Sequence, residues 1–455
     1  MRGWKMVLVL LVLLLTASTS FAAGFRLPEA GAKAMGMGFA FTAQADDPSA
    51  IYFNPAGLTQ LKGQNVMVGV TYVRENGGTF TGTTPLTLNV ATSTFDSKSE
   101  TQKSLDFFIP NMYYTKTTSD GYVAYGVGVF APFGLGQEYN DKNTSIFRDQ
   151  VTKVDIMTIV VNPTIAFKIN EFLSVGAGID FMYGKAKLNQ TGVVRIGAPP
   201  LDQLNIFNLE LDGDGTAWGY NFGLLLKPTE NFRVGANYRS PFTLKIKDAD
   251  VNVSNINSTV PFVPNPVPPP AAFTASQVFG GTSFATQASS TLNLPATFAL
   301  GTSYTMGKLT VNADADWTFW SSFQTLDIDM KNNNPLLPDV SRPQKWNDVV
   351  AIRVGGEYRV TDPLALRLGF AYDPTPVPAE TLGPLLPDAD RLTYHAGAGY
   401  KVGAWVFDLA YMYVDKKDRT VNNQANLPPP RTGSGFNGTW TEDAHLVALD
   451  VGYRF

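Results

Sequence analysis

Two histidines, His395 and His445, and no cysteine make up the scarce reactive inventory of this chain. Zinc–thiolate sites and cysteine nucleophiles are therefore excluded. Hydrolysis through an imidazole base would need a serine or aspartate within hydrogen-bond reach of it. His395 and His445 lie on segments where apolar and polar residues alternate, and the alternation places them on opposite faces. Both read as structural. Gly36-Met37-Gly38 follows no strand and is not a nucleotide fingerprint. No metal cluster or phosphate loop is apparent, no cofactor is expected, and the chain reads as a protein that is not an enzyme.

The other candidates are turns, breaks and apolar groups. Asn54-Pro55-Ala56 is a turn signal followed by small residues. It reads either as a movable constriction or as a loop delivering the chain to its first strand. Ala131-Pro132-Phe133-Gly134 ends a strand that contains Gly126 and Gly128. Proline withholds a ladder donor, so a neighbouring strand can lose its partner there. The segment is thus a local break in a wall or simply a strand end. Phe130, Phe133, Leu135, Ile146 and Phe147, with Phe262, Val263 and Phe273, are expected at exposed loops. An exposed apolar patch marks a binding site, unless the loops pack on one another. A greasy mouth favours a hydrophobic ligand over ions or sugars.

The elements that position these groups follow a period of two. From Val447 to Phe455 the residues of one parity are Val, Leu, Val, Tyr and Phe; the other parity holds Ala448, Asp450, Gly452 and Arg454. Leu364 to Tyr372 and Trp405 to Tyr413 alternate in the same way. A soluble edge strand should not display such an apolar face, whereas a strand of a closed membrane barrel should. Six short turns (118–121, 169–171, 227–231, 306–308, 360–363, 401–403) alternate with seven long loops. The long loops span about 76–104, 132–152, 187–213, 247–289, 331–345, 374–391 and 416–440. This predicts an all-β fold, a transmembrane antiparallel β-barrel of 14 strands over 64–455, with short turns and the C-terminus on the periplasmic side. An arginine facing mid-depth lipid costs roughly 2–4 kcal/mol. Asp180, Asp314, Asp316, Arg353, Glu357, Arg359, Arg367, Asp408 and Asp450 are accordingly expected to line the lumen as ion pairs.

Residues 1–22 read as a signal peptide. Arg2 and Lys5 precede an apolar run, Met6 to Leu15, too short to span a bilayer as a helix, and Ser20 and Ala22 flank a cleavage position before Ala23. Removing Arg2 and Lys5 from the chain's 35 basic residues leaves 33 against 39 acidic, a net charge of −6 that argues against nucleic acid. Residues 23–63 are rich in Gly, Ala and Met and too apolar for a free tail. They are predicted to form a hatch inside the lumen. Pro261 to Pro270, in the longest loop, is predicted to be a stiff polyproline-like stretch.

Several motifs occur together in order. They include Ala23-Gly24-Phe25, Asn54-Pro55-Ala56-Gly57, Pro132-Phe133-Gly134-Leu135 and Asn162-Pro163-Thr164-Ile165-Ala166. Further along come Trp320-Ser321-Ser322-Phe323, Trp346-Asn347-Asp348 leading to Arg353, Tyr372-Asp373-Pro374 and Leu386-Pro387-Asp388-Ala389-Asp390-Arg391. This ordered set resembles the FadL/TodX family of bacterial outer-membrane transporters for hydrophobic compounds. The resemblance implies a monomeric, hatch-plugged barrel in outer-membrane lipid. It implies passive uptake of hydrophobic small molecules, most often long-chain fatty acids; uptake of aromatic hydrocarbons and a general porin are the competing readings. By the same resemblance Asn54, Pro55 and Ala56 are the hatch motif, and Gly128, Phe130, Ala131 and Pro132 mark a lateral opening in strand three. Phe133, Leu135, Ile146 and Phe147 belong to an outer groove, while Asp348, Arg353, Asp388, Asp390 and Arg391 sit in the lumen. Fatty-acid members place basic residues in the inner pocket where this chain has Gln190 and Asn347. Lys187 or Lys345 would then stand in for them, or the pocket takes a neutral ligand.

Overall fold

Alternating side chains are carried through fourteen antiparallel strands. The computed structural model describes residues 24–89, 94–139, 142–194, 203–261, 273–423 and 435–455. The expected leader 1–22, Phe262, Val263 and the rest of the proline run to Pro270 lie outside them. The strands are β1 (Gln64–Glu75), β2 (Leu105–Thr117), β3 (Val123–Phe130, resuming as Gly134–Glu138), β4 (Lys153–Lys168), β5 (Leu173–Val194) and β6 (Leu204–Thr229). They continue as β7 (Phe232–Arg239 and Phe242–Ser254), β8 (Phe284–Leu294 and Thr297–Met306), β9 (Leu309–Thr318 and Thr325–Met330) and β10 (Val340–Pro343 and Val349–Arg359). The last four are β11 (Leu364–Asp373), β12 (Arg391–Val402), β13 (Trp405–Asn422) and β14 (Asn437–Arg454). Each strand pairs with the next, and β1 pairs with β14 from Asn65↔Arg454 to Glu75↔Ala444, closing the ring. Closure joins the strands into one ring, as lipid demands, with a gap in the pairing at strand three.

Parity sorts the faces as expected. On β11, Leu366, Leu368 and Phe370 are exposed while Arg367 is buried; on β13, Phe407, Leu409 and Tyr411 are exposed while Asp408, Ala410 and Met412 are buried. Inside, Arg367 bridges Glu357 (2.8 Å) and Asp408 (2.6 Å), and Arg353 lies 3.6 Å from Asp316 and 3.4 Å from Asp373. Arg359 keeps the inward parity but is exposed at its strand end, lining a cavity with Glu357 and Arg367.

The outer part of the wall differs from expectation. Most of 187–213 is ladder, because β5 and β6 stay paired out to Val194↔Leu204. Likewise β13 runs on to Asn422 and pairs there with Asn437. The bilayer limits the length of an apolar outer face, not the length of a ladder. Beyond that limit these strands continue because their inner faces carry Leu188, Ile206, Phe207, Leu209 and Leu211, all buried.

Residues 24–63 bond to strands all around the ring. The segment holds two short helices, α1 (Ala32–Met35) and α2 (Ala50–Phe53), and a 3₁₀ turn, Pro55–Gln60. Helices this short leave most amide donors without an intrahelical acceptor, and inward carboxylates of the wall take several. Asp450 accepts from the Ala32 N–H (2.6 Å), Asp314 from the Phe41 and Thr42 N–H groups (2.9 and 2.8 Å), and Asp388 from the Gly24 N–H (2.9 Å). Of the three, Asp388 also meets a cation, Arg391 (2.8 Å), whereas Asp314 and Asp450 hold backbone N–H groups of the inner segment in place of the ion pairs expected of them.

Candidate functional site

Asn54 is the best-anchored residue of the inner segment. Its Nδ2 donates to the Thr42 carbonyl (2.8 Å) and to the Leu224 carbonyl on β6 (2.9 Å). Its Oδ1 accepts from the Ala56 N–H (3.1 Å), capping the 3₁₀ turn that Pro55 begins. Gly176 and Gly223, paired across β5 and β6, form the floor beneath this turn. A Cβ on Gly223 would stand 2.2 Å from Asn54 Oδ1, and one on Gly176 would stand 2.6 Å from the Pro55 carbonyl carbon. The turn thus lies directly on bare backbone of the wall. Nearby, Pro163 leaves β4 without a donor, and Asn162 Nδ2 donates to the Ile179 carbonyl of β5 instead (3.0 Å). Asn162 also reaches Asn221, whose own amide donates to the Ile51 carbonyl (3.3 Å).

The wall is broken at strand three. β2 and β3 pair only from Thr117↔Ala124 to Met112↔Val129, so Leu105–Asn111 has a paired neighbour on the β1 side alone. Ladder pairing of β3 with β4 skips Ala131-Pro132-Phe133, with one extra residue on the β3 side. Residues 25–27 fill part of the break. Leu27 N–H donates to the Pro132 carbonyl (2.8 Å), Gly134 N–H donates to the Phe25 carbonyl (3.0 Å), and Arg26 bridges to Phe133. Residues 25–27 thus act as a short added strand. Gly128 faces inward against Ile51, and Phe130 is buried against Tyr52 (5.1 Å between ring centroids).

Phe25 also fills an aromatic box. Its ring centroid lies 4.8 Å from Trp320, 5.6 Å from Trp346, 6.0 Å from Phe323 and 6.1 Å from Phe133. The described residues do not form the expected exposed outer groove. Phe130, Phe133 and Phe147 are all buried, and Leu135 and Ile146 are half-buried against the core. Phe147 belongs to a second aromatic cluster with Phe80, Tyr139, Phe436 and Trp440. Loop packing, the competing expectation, explains these residues; the groups meet across sequence separations that no local pattern reveals. Phe273 does remain exposed.

The inner-pocket candidates separate. Lys187 shares the outward parity of Phe181 and Tyr183 and pairs outside the ring with Asp212 (2.8 Å). Lys345 is exposed and pairs with Glu380 (3.1 Å). Asn347 and Asp348 are also exposed, while Trp346 between Lys345 and Asn347 is buried in the box. These four are corrections to the lumen and pocket assignments: the run from Lys345 to Asp348 is loop, where strand parity does not decide the face. Gln190 does point inward, where it accepts from Arg342 Nη2 (2.9 Å). Arg342, four residues before Trp346, is the basic side chain that the sequence reading missed. Arg353 and Asp388 are inside and buried; Asp390 and Arg391 are half-buried, Asp390 accepting from Tyr372 OH (3.0 Å) and Arg391 donating to Asp388 (2.8 Å). Burial would raise the Asp388 carboxyl, but Arg391, Lys416, the Thr375 hydroxyl and the Gly24 N–H hold it below its ordinary range.

Two cavities among the described residues between segment and wall are small and partly lined by charge. One cavity of ≈ 130 Å³ is lined by Leu27, Glu29, Phe39, Arg353, Asp373 and Arg391, among others. A second, ≈ 270 Å³, lies near the short-turn rim among Lys33, Asp46, Glu357, Arg367 and Asp408. Neither is an apolar tunnel. Glu29 Oε2 is buried without a hydrogen-bond partner. Burial pushes its carboxyl up to about 7 from an ordinary 4.5. The packed segment therefore binds more protons than the released one between those values, so its packing weakens as pH rises through that window. Hydrogen exchange of amides 24–60, corrected for intrinsic rate, should lose protection from about pH 4.5 to about pH 7. Glu29→Gln should make that slope shallower without abolishing it, because half-buried Asp47, pushed up to about 6 by burial, still contributes. An unchanged slope in Glu29→Gln would contradict this assignment.

His395 Nε2 meets Thr393 Oγ1 inside at 2.8 Å, and His445 meets Tyr411 OH outside at 2.8 Å. Among the described residues no group of His, Asp and Glu is arranged to hold a metal.

Residues 13–455 match the family described as "Outer membrane protein transport protein (OMPP1/FadL/TodX)". The long-chain fatty acid transport protein of Salmonella typhi is 26% identical over 404 residues, covering 84% of this chain and 85% of that protein. Among solved structures, a Pseudomonas aeruginosa FadL homologue superposes with a TM-score of 0.75 at 23% identity, covering 95% of this chain and 100% of that one. The Ralstonia pickettii toluene transporter TbuX superposes with a TM-score of 0.64 at 18% identity, over 93% and 98%.

Proposed function

Since the chain belongs to the outer-membrane transport family OMPP1/FadL/TodX, we propose that it admits hydrophobic compounds through the aromatic box and releases them sideways at strand three. The observation that carries this is Phe25. An apolar side chain of the inner segment occupies the box, and the backbone beside it fills the wall break. A ligand that displaces Phe25 takes over the apolar contacts and, in the same movement, withdraws the added strand. Residues 24–63 are the hatch in this reading, with Asn54-Pro55-Ala56 as its anchor on the wall.

Lateral exit follows from the energetics. Leaving into the polar cavity at the short-turn rim would re-expose apolar surface at ~25 cal/mol/Å². Leaving through the break exchanges one apolar environment for another. The small charged cavities also argue against an open porin, because a drug-sized ligand alone needs roughly 300 Å³ or more. The C-terminal Phe455 lies on the short-turn rim, its N–H donating to the Gln64 carbonyl. We assign that rim to the periplasm and the barrel to a monomer.

Long-chain fatty acids are the first substrate reading, as in the Salmonella relative. Arg342 beside Gln190 supports it, since a carboxylate brought out of water needs a cation. Aromatic hydrocarbons are the second, and a particular observation favours them: the group in the box is a benzyl side chain, toluene less one hydrogen. Uptake of radiolabelled oleate and toluene by transporter-null cells separates the two. Arg342→Leu should lower oleate uptake about tenfold, the scale of one charge-assisted hydrogen bond, and leave toluene unchanged. Equal losses of both would remove Arg342 from head-group recognition. Entry of small sugars without either probe would overturn the proposed function.

A further inference from the structure

Arg239 stands where the inner segment, the strand-three break and the wall meet. It ends the first piece of β7, and its Nη1 lies 2.5 and 2.6 Å from the two oxygens of Asp180 on β5. Both side chains are almost fully buried. The guanidinium carbon lies 5.4 Å from the Tyr52 ring centroid and 5.1 Å from that of Phe130. Nη2 donates to the Tyr52 carbonyl at 3.4 Å. Tyr52 is two residues before Asn54, and Phe130 is the last ladder residue before Ala131-Pro132. Tyr52 OH in turn donates to the Leu27 carbonyl (3.0 Å), and Leu27 bonds to Pro132.

A buried ion pair is weak evidence for stability, because desolvating two charges offsets much of their attraction. The ring of β5, β6 and β7 is already held by its ladders. The placement of this pair therefore calls for another role. A planar cation offers faces and edges together: Asp180 fixes its position while aromatic rings of two separate elements meet its charge. An ammonium would keep the charge but not the planar fork.

We propose that Arg239 is the positioning residue that couples movement of the inner segment to opening of the strand-three break. The proposal rests on the moving hatch of the preceding section. With the segment seated, Tyr52 and Phe130 are held against one guanidinium. When the segment shifts, Tyr52 and its carbonyl leave, and Phe130 loses the ring and the ordered cation that keep it inward.

The chain has no cysteine, so introduced pairs report without background. Two spin-label pairs share Tyr304→Cys on the wall. Pro48→Cys completes the pair that reads the inner segment, and Glu138→Cys the pair that reads the outer piece of β3. On adding oleate to the reconstituted barrel, both distance distributions should shift in an otherwise unaltered chain. In Arg239→Lys the strand-three pair should already show the oleate-shifted distance before oleate is added, while the inner-segment pair still shifts only on adding it. Phe130→Leu leaves Asp180 and Arg239 paired and should uncouple the two shifts in the same way. It serves as the test if Arg239→Lys does not give a folded, heat-modifiable barrel. Joint shifts in both variants would overturn the coupling role. An inner segment that never shifts in the unaltered chain would refute the moving hatch itself; an inner shift without a strand-three shift there would refute only the coupling.

Discussion

Asn54→Asp should release the inner segment from the wall while leaving the barrel intact. The amide donates to two carbonyls, Thr42 and Leu224, and accepts from the Ala56 N–H. Only an amide satisfies all three. A carboxylate of the same shape keeps the cap but turns both donors into an acceptor facing two carbonyl oxygens, in a site with no solvent exposure at Asn54. Stranding buried acceptors costs about 1–3 kcal/mol each, so the released population should rise by about two orders of magnitude. Hydrogen exchange should accelerate over 41–60 with β5 and β6 unchanged, and ion conductance should appear in planar bilayers. Asn54→Ala removes the donors without adding the repulsion and should give a smaller effect. Gly223→Val approaches the same contact from the wall, since its Cβ would stand 2.2 Å from Asn54 Oδ1. Protected amides and a silent bilayer in Asn54→Asp would mean that this turn does not hold the segment.

Much of this architecture is legible in the sequence because two rules act together. Period two fixes which residues share a face, and the cost of charge in lipid fixes which face is inside. That Arg367, Glu357 and Asp408 face inward follows from those rules; that Arg367 bridges the other two does not. The same rule excludes Lys187 from the pocket, since it continues the parity of Phe181 and Tyr183; only the resemblance points it inward. Asn347 and Asp348 were beyond the rule because they sit in a loop, where parity has no meaning. Phe147 was beyond it for another reason: its partners Phe80 and Trp440 are far away in sequence, and exposure at a loop is settled by what the other loops bring. Arg342 and Arg239 gave no signal, because a cation's neighbours in a closed ring come from strands distant in the chain. The break at strand three was legible from Pro132, but its filling by residues 25–27 was not.

Phe25→Ala should tighten ligand binding rather than weaken it. In the resting chain a ligand must displace the Phe25 ring from contacts with Trp320, Trp346, Phe323 and Phe133. Burial of a phenylalanine in a packed site is worth about 3–5 kcal/mol relative to alanine, and that stabilisation competes with every ligand for the same space. Apparent affinity is reduced by the fraction of molecules with the box vacant. Truncation removes the competitor, so equilibrium binding of radiolabelled toluene to the purified barrel should strengthen by about 10- to 100-fold. The backbone bonds of residue 25 and of Leu27 to strand three involve no side chain and persist in the variant, so the break stays filled. Binding and release thereby separate: tighter binding should come without a matching gain in uptake, because the added strand must still withdraw. Phe25→Tyr keeps the ring and serves as the control, with affinity close to that of the parent chain. If Phe25→Ala binds toluene no better than the parent, the box is a structural core and the ligand site lies elsewhere in the barrel. If both affinity and uptake rise together, displacement of the ring is itself the opening step, and the backbone pairing of residues 25–27 has no separate part in closing the wall.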